Sequence, residues 1–296
     1  MWIKNFIFVT TYVSLATSFS TVIYDSCGYS TSKGLKGCKP RTSNRIIHGV
    51  GVEEGDIPWQ VAIKLKPSSG PSFWCGGTII SESFVITAAH CLKDRIISGI
   101  NIKLDISKCY VYAGGNLGQE TGVQYNFSMY IMHPSFKKID GKNIHDIGLV
   151  QIKDSFDFSS VIQPACLPFY QTEPVMTESS VVVSGWGRTD PKVDLAASRL
   201  MRADLYVKNI SSSICKRGKE DVVDPDSLLC IWNPPSSGCF GDSGGPVTLE
   251  ESGRCILVGV ISQGVQCGAT GQGAINVKVS YYLDWIYSNI MVSWLK

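Results

Sequence analysis

From Ile46 to Val279, short apolar runs alternate with turn residues. They read WQVAIKL from Trp59, GGTIIS from Gly76, FVITAA from Phe84, YVYAG from Tyr110, IGLVQI from Ile147, SVVVSGW from Ser180, ILVGVIS from Ile256 and AINVKV from Ala274. β-Branched and aromatic residues pack well on a pleated surface, and Gly, Pro, Ser and Asn between the runs supply turns, so each run is predicted to be a strand. Strands do not alternate with helices, which excludes a βαβ architecture and points to an all-β sandwich or barrel. Only the end changes period. Within Tyr281–Lys296, Leu283, Ile286, Tyr287, Ile290 and Trp294 recur at three- and four-residue intervals, predicting a docked C-terminal helix. Asp284 and Lys296 bracket fewer than the roughly 20 apolar residues that a membrane crossing needs.

Upstream of Ile46 the pattern is different. Residues 25–45, DSCGYSTSKGLKGCKPRTSNR, are rich in Gly, Ser and Lys without an apolar period and read as an exposed linker. The first residues have the order of a secretory signal: Lys4, the apolar run IFVTTYVSLA, then small residues at Ala16, Ser18 and Ser20, with cleavage expected between about residues 16 and 22. The chain thus divides into a signal peptide (1–20), a propeptide (21–45) and a folded domain (46–296).

Composition narrows the class. With 296 residues, 44% hydrophobic and 18% charged, the chain can bury a sizeable core. A net charge of +2 with no long basic run gives no reason to propose a nucleic-acid partner. Eleven cysteines indicate an oxidising, extracellular destination, and their odd number leaves at least one thiol free or intermolecular. Neither CxxC nor HExxH occurs, so no metal site is expected. The sequons at Asn126 and Asn209 fit passage through the secretory pathway and glycosylation.

A hydrolytic nucleophile needs a hydroxyl or thiol, a base within hydrogen-bond reach and donors for the developing oxyanion. Ser243, in Gly241-Asp-Ser-Gly-Gly-Pro246, has glycines that let a carbonyl approach and let the N–H groups of Gly241 and Ser243 converge on one oxygen. Of the four histidines, His90 stands at the end of an apolar run, in Thr87-Ala-Ala-His-Cys91, where a disulfide at Cys91 could fix the ring. His48, His133 and His145 stand in loop-like stretches and read as solvated or satisfied residues. Asp146, at the mouth of the strand that follows it, supplies a partly buried carboxylate to orient an imidazole.

TAAHC, HDIGLV and GDSGGP, in that order, resemble the three catalytic blocks of the chymotrypsin/trypsin-like serine proteases, over residues 46–296. The resemblance implies two packed six-stranded antiparallel β-barrels with a C-terminal α-helix. It also implies a secreted serine endopeptidase working without a cofactor, with His90 as base then acid, Asp146 orienting it and Ser243 attacking. Cleavage after Arg45 would free the amine of Ile46 to pair with Asp242, ordering the oxyanion hole of Gly241 and Ser243. By the same resemblance Cys75 pairs with Cys91, Cys215 with Cys230 and Cys239 with Cys267. Cys166 pairs with Cys27 or Cys38, and the other of these two, Cys109 and Cys255 are left without partners. Ser237 forms the floor of the primary pocket, with walls at Gly264 and Ala274. An uncharged floor implies cleavage after large apolar residues, and hence activation by another, trypsin-like protease. The implied partners are protein or peptide substrates, that activating protease and protein inhibitors, with no membrane span. Gln263 replaces the aromatic residue that the family places beside substrate residues upstream of the cut. The loop GGNLGQETG has a single acid, Glu120, too few oxygen ligands for calcium. A binding protein on a catalytically weak or dead scaffold is the alternative. A lipase-type hydrolase would need a serine that precedes its histidine, the reverse of the order here.

Overall fold

The computed structural model describes residues 27–30, 37–40, 49–97, 100–168, 175–188, 195–216, 224–234, 241–263 and 271–294. In its first half the chain forms β1 (Val50–Gly51), β2 (Gln60–Leu65), β3 (Phe73–Ile79), β4 (Phe84–Thr87), the one-turn helix α1 (Ala89–Leu92), β5 (Arg95–Ile97) and β6 (Ile100–Ile102). There follow β7 (Tyr110–Gly114), β8 (Gly122–Met132), β9 (Lys137–Ile139), β10 (Lys142–Ile144) and β11 (Gly148–Ile152). In the second half come β12 (Ser180–Gly185), β13 (Met201–Lys208), β14 (Leu228–Trp232), β15 (Pro246–Glu251), β16 (Arg254–Gln263), β17 (Ala274–Lys278) and the helix α2 (Leu283–Trp294).

Two antiparallel barrels result. The first closes in the order β11, β4, β3, β2, β7, β8 and back to β11. The second runs β13, β12, β15, β16, β17, β14 and is closed by pairing of β14 with β13, while β1 adds to the opposite end of β13 through Val50–Arg202 and Gly51–Met201. Closure removes the unpaired edges that an open sheet would expose. It follows from inward alternation of the apolar runs: Val61, Ile63, Ile79, Ile86 and Leu149 are fully buried in the first barrel, and Val181, Val247 and Leu257 in the second. Helix α2 covers the first barrel with Leu283, Ile286 and Ile290. Each such buried side chain contributes about 1.5–3 kcal/mol of transfer free energy.

Four disulfides join the described residues: Cys27–Cys166, Cys38–Cys255, Cys75–Cys91 and Cys215–Cys230. Thus Cys27 is the residue bonded to Cys166. Cys255, expected to lack a partner, is bonded instead to Cys38 in the N-terminal segment. The linker expected to be exposed upstream of Ile46 is instead buried at Gly37 and Cys38, while Lys39 and Pro40 are exposed. Fully buried Arg202 donates to the carbonyls of Gly37 (3.4 Å) and Lys39 (2.9 Å) and pairs with Asp204. Cys109 is a buried free thiol, and burial raises its pKa. The Cys239–Cys267 pairing lies outside the described residues.

Candidate active site

The site lies where the barrels meet. Thr87 ends β4, and Ala88 and Ala89, both fully buried, turn the chain into α1 so that His90 faces the second barrel. Asp146 comes from the segment between β10 and β11. There His145 adopts a left-handed φ of 51°, rare for a residue with a side chain, and Ile147 N donates to the His145 carbonyl at 2.9 Å. The His145 ring holds this turn in place: its Nδ1 lies 2.9 Å from the Tyr282 hydroxyl, and it stacks on His133 with centroids 5.1 Å apart. The two loop histidines are therefore satisfied residues, half-buried between α2 and the first barrel, with His133 also against Trp285. Burial first, and His145 second, lower the His133 pKa to about 4. Burial also lowers that of His145, aided by Lys137 and opposed by Asp224.

Asp146 is 1% exposed, and both its oxygens are engaged. His90 N donates to Oδ1 at 2.7 Å and His90 Nδ1 lies 2.7 Å from Oδ2. Ser262 Oγ also donates to Oδ2, as does Asn143 Nδ2 at 3.1 Å. Burial alone would raise the Asp146 carboxyl, but the charge of His90 and the hydrogen bonds from His90 and Ser262 outweigh it and hold the group below the usual carboxylate range. The group stays ionised and fixes which ring nitrogen of His90 carries the proton. Sequence reasoning does not reveal Ser262 and Asn143 as partners. Ser262 reaches Asp146 because the β16–β17 register breaks between Val260 and Gln263.

The Ser243 loop is clamped to both barrels. Gly76 N donates to the Ser243 carbonyl (2.7 Å), Gly244 N to the Ile261 carbonyl (2.7 Å), and Ile261 N to the Gly245 carbonyl (2.9 Å). Glycine is required here on steric grounds. Gly241 and Gly244 have φ of 99° and 83°, and a Cβ on Gly244 would stand 2.2 Å from Thr87 Oγ1 and 2.5 Å from the Gly76 carbonyl. Cys91 Sγ lies 3.8 Å from His90 Nε2 and 3.8 Å from the Ser243 carbonyl oxygen, which brings the two residues around one disulfide. No hydrogen bond joins His90 Nε2 to the Ser243 hydroxyl among the described residues; such contacts commonly tighten only once substrate is bound. Asp242 Oδ1 accepts from Gly187 N at 2.7 Å.

Ala274 is buried as the first residue of β17, opposite Ile231. Ser237, Gly264, Arg45 and Ile46 lie outside the described residues. Asn126 and Asn209 are both exposed. Cys75, His90 and Cys91 bring three potential ligand atoms within 4.8 Å, but both sulfurs are spent in a disulfide and offer no thiolate to a metal. No helix among the described residues is long and apolar enough to cross a membrane.

Comparison with known proteins places this geometry in context. A family model described as Trypsin matches residues 46–286. The chain is 28% identical over 271 residues to phenoloxidase-activating factor 3 of Holotrichia diomphalia, covering 86% of this chain and 75% of that protein. It is 31% identical over 275 residues to ovochymase of Halocynthia roretzi, covering 91% of this chain but only 16% of that much longer protein.

Proposed function

The chain belongs to the trypsin family of serine proteases, and from that premise we propose that it is a secreted serine endopeptidase made as a precursor and activated by cleavage after Arg45. The observation that carries the reading is the buried Asp146 carboxylate gripping His90 at two points, beside a Ser243 loop tied to both barrels. In the proposed reaction His90 Nε2 takes the Ser243 proton as Oγ attacks the scissile carbonyl. Asp146 remains an anion and stabilises the imidazolium. The N–H groups of Gly241 and Ser243, on which no acceptor sits among the described residues, receive the oxyanion. His90 then protonates the leaving amine, and a water, deprotonated by the same ring, hydrolyses the acyl-enzyme and restores Ser243.

Specificity rests on Ser237, Gly264 and Ala274, an uncharged pocket suited to Phe, Tyr, Leu or Met. Such a pocket would cut poorly after Arg45, so activation falls to a separate trypsin-like protease. Freed by that cut, the Ile46 amine would pair with Asp242. The reading is tested by cleaving the purified chain after Arg45 and assaying peptides that differ only at the cleaved residue, with Ser243→Ala as control. Turnover after apolar residues, absent from Ser243→Ala, is the expected result. Turnover surviving in Ser243→Ala overturns the mechanism, a preference for Arg overturns the pocket, and no turnover of any peptide favours a binding protein on this scaffold.

A further inference from the structure

The outer face of the first barrel carries a row of aromatic rings that the steps above do not use. Trp74 of β3 and Tyr112 of β7 have ring centroids 5.8 Å apart, and Tyr110, two residues back on β7, meets Tyr112 edge-on at 6.4 Å. Polar groups along the row already have partners. Lys64 Nζ lies 5.5 Å over the Trp74 ring and 2.6 Å from Glu120 Oε1, and the Tyr112 hydroxyl donates to Gln124 Oε1 at 2.8 Å. The row ends against β8. There Asn126, of the sequon Asn126-Phe-Ser128, stands directly opposite Tyr110 in the antiparallel register. Residues so paired share one face of the sheet, with Cβ atoms about 4.5–5.5 Å apart. That face is the outer one: Val111 on β7 and Tyr125 and Phe127 on β8 are buried, whereas Asn126 and Ser128 are exposed and Tyr110 is partly so. Asn126 is also held on its other side, where Lys153 N donates to its carbonyl at 2.9 Å. Its side-chain amide has no partner among the described residues.

We propose that Asn126 carries an N-linked glycan whose first N-acetylglucosamine lies along the Tyr110 ring, making that sugar a structural part of the first barrel. The proposal rests on the secretion reading, which supplies the donor, a lipid-pyrophosphate-linked oligosaccharide. In the transfer Asn126 Nδ2 attacks C1 of the first sugar. The C1–N bond forms, the C1–O bond to the pyrophosphate breaks, the amide gives up one proton, and the lipid pyrophosphate leaves. A pyranose turns several C–H groups to one side of its ring, and the negative face of an aromatic ring attracts such hydrogens. Both partners project outward from paired strands, about a stacking distance apart, so the contact orders little beyond the Asn126 side chain. The sugar bridges β7 and β8 and covers the partly exposed end of the aromatic row.

The test expresses the full chain in a eukaryotic host restricted to oligomannose glycans, maps the glycopeptides by mass spectrometry, and trims the product with an endoglycosidase that leaves one N-acetylglucosamine on each asparagine. Asn126 should be occupied, and Asn126→Gln should melt about 2–4 °C below the trimmed wild type, the shift expected for one ring contact in a domain of this size. In a Tyr110→Thr background the same Asn126→Gln change should shift the melt by less than about 1 °C, whereas Tyr110→Phe, which keeps the ring and drops the hydroxyl, should restore the larger shift. Tyr110 is not a core residue, so both variants keep the barrel. An equal loss on removing the sugar with and without the ring overturns the proposal. A secreted chain bare at Asn126 also overturns it and leaves the secretion reading standing, while a chain that never enters the secretory pathway overturns both. None of these readouts depends on peptide hydrolysis, so the protease reading stands or falls separately.

Discussion

Removing the Cys38–Cys255 bond measures what the N-terminal segment contributes to the folded domain. With Cys27–Cys166 intact, the circuit this bond closes runs from Cys38 back to Cys27, across to Cys166 and on to Cys255, about 100 residues in all. A crosslink over about 100 residues withdraws about 4.7 kcal/mol of freedom from the unfolded chain. The Cys215–Cys230 bond shortens that circuit slightly, and the loss of two fully buried sulfurs adds a small cavity cost. Cys38→Ala/Cys255→Ala is therefore expected to be about 3–5 kcal/mol less stable than the wild type. Guanidinium unfolding under non-reducing conditions, followed by tryptophan fluorescence, reads this directly. A loss below about 1 kcal/mol would refute the reasoning, because residues 37–40 would then be held by Arg202 alone. A second readout is qualitative. After cleavage at Arg45 the wild type should run as one species without reductant and as two with it, and Cys27→Ala alone should not release the segment.

Other outcomes follow from the same geometry. Gly244→Ala forces a side chain into a left-handed backbone, at about 1–2 kcal/mol, and against Thr87 and the Gly76 carbonyl; peptide hydrolysis should fall at least about 100-fold, and near wild-type kcat would contradict the clamp. Ser262→Ala removes one donor from the buried Asp146 carboxylate and should lower kcat about tenfold with little change in KM, since hydrogen bonds to charged groups are worth about 1.5–3 kcal/mol. Stability should fall as pH drops from about 6.5 to about 4, because unfolded His133 takes its proton near 6.5 while the folded ring resists to about 4, so the unfolded state binds more protons across that window. The gap corresponds to about 3 kcal/mol for a dry ring and about half that for one still reached by water. Thermal melts of the wild type and His133→Asn at about pH 7 and about pH 4.5 check it, and an equal loss in both would contradict it.

Much of this architecture is legible from alternation, and the rest is not, for definite reasons. The runs from Trp59, Phe84, Tyr110 and Ala274 become β2, β4, β7 and β17 because nearly all of their residues are buried. β8 gives no such signal because most of its residues face solvent, and β13 gives none because Arg202, Asp204 and Lys208 read as surface charge. Arg202 is buried nonetheless: besides Asp204, its partners include carbonyls in an N-terminal segment that has no period to announce them. GDSGGP stands out because glycines at this density build no core and serve only where backbone must pass close to something. The partners of Asp146 do not, since Ser262 is one serine in an apolar strand until a register break turns it inward. The bond of Cys38 to Cys255 depends on where the N-terminal segment lies against β16, information that spacing along the chain does not contain.

The central claim is that Ser243 is a nucleophile activated by His90 on the anionic Asp146. It is tested most directly by treating the chain, cleaved after Arg45, with a serine-reactive fluorophosphonate and mapping the adduct by mass spectrometry. A single stoichiometric adduct on Ser243, lost in His90→Ala and much slower in the uncleaved chain, is the predicted result. Labelling elsewhere, labelling that persists at full rate in His90→Ala, or no labelling of a correctly cleaved and folded protein would contradict it.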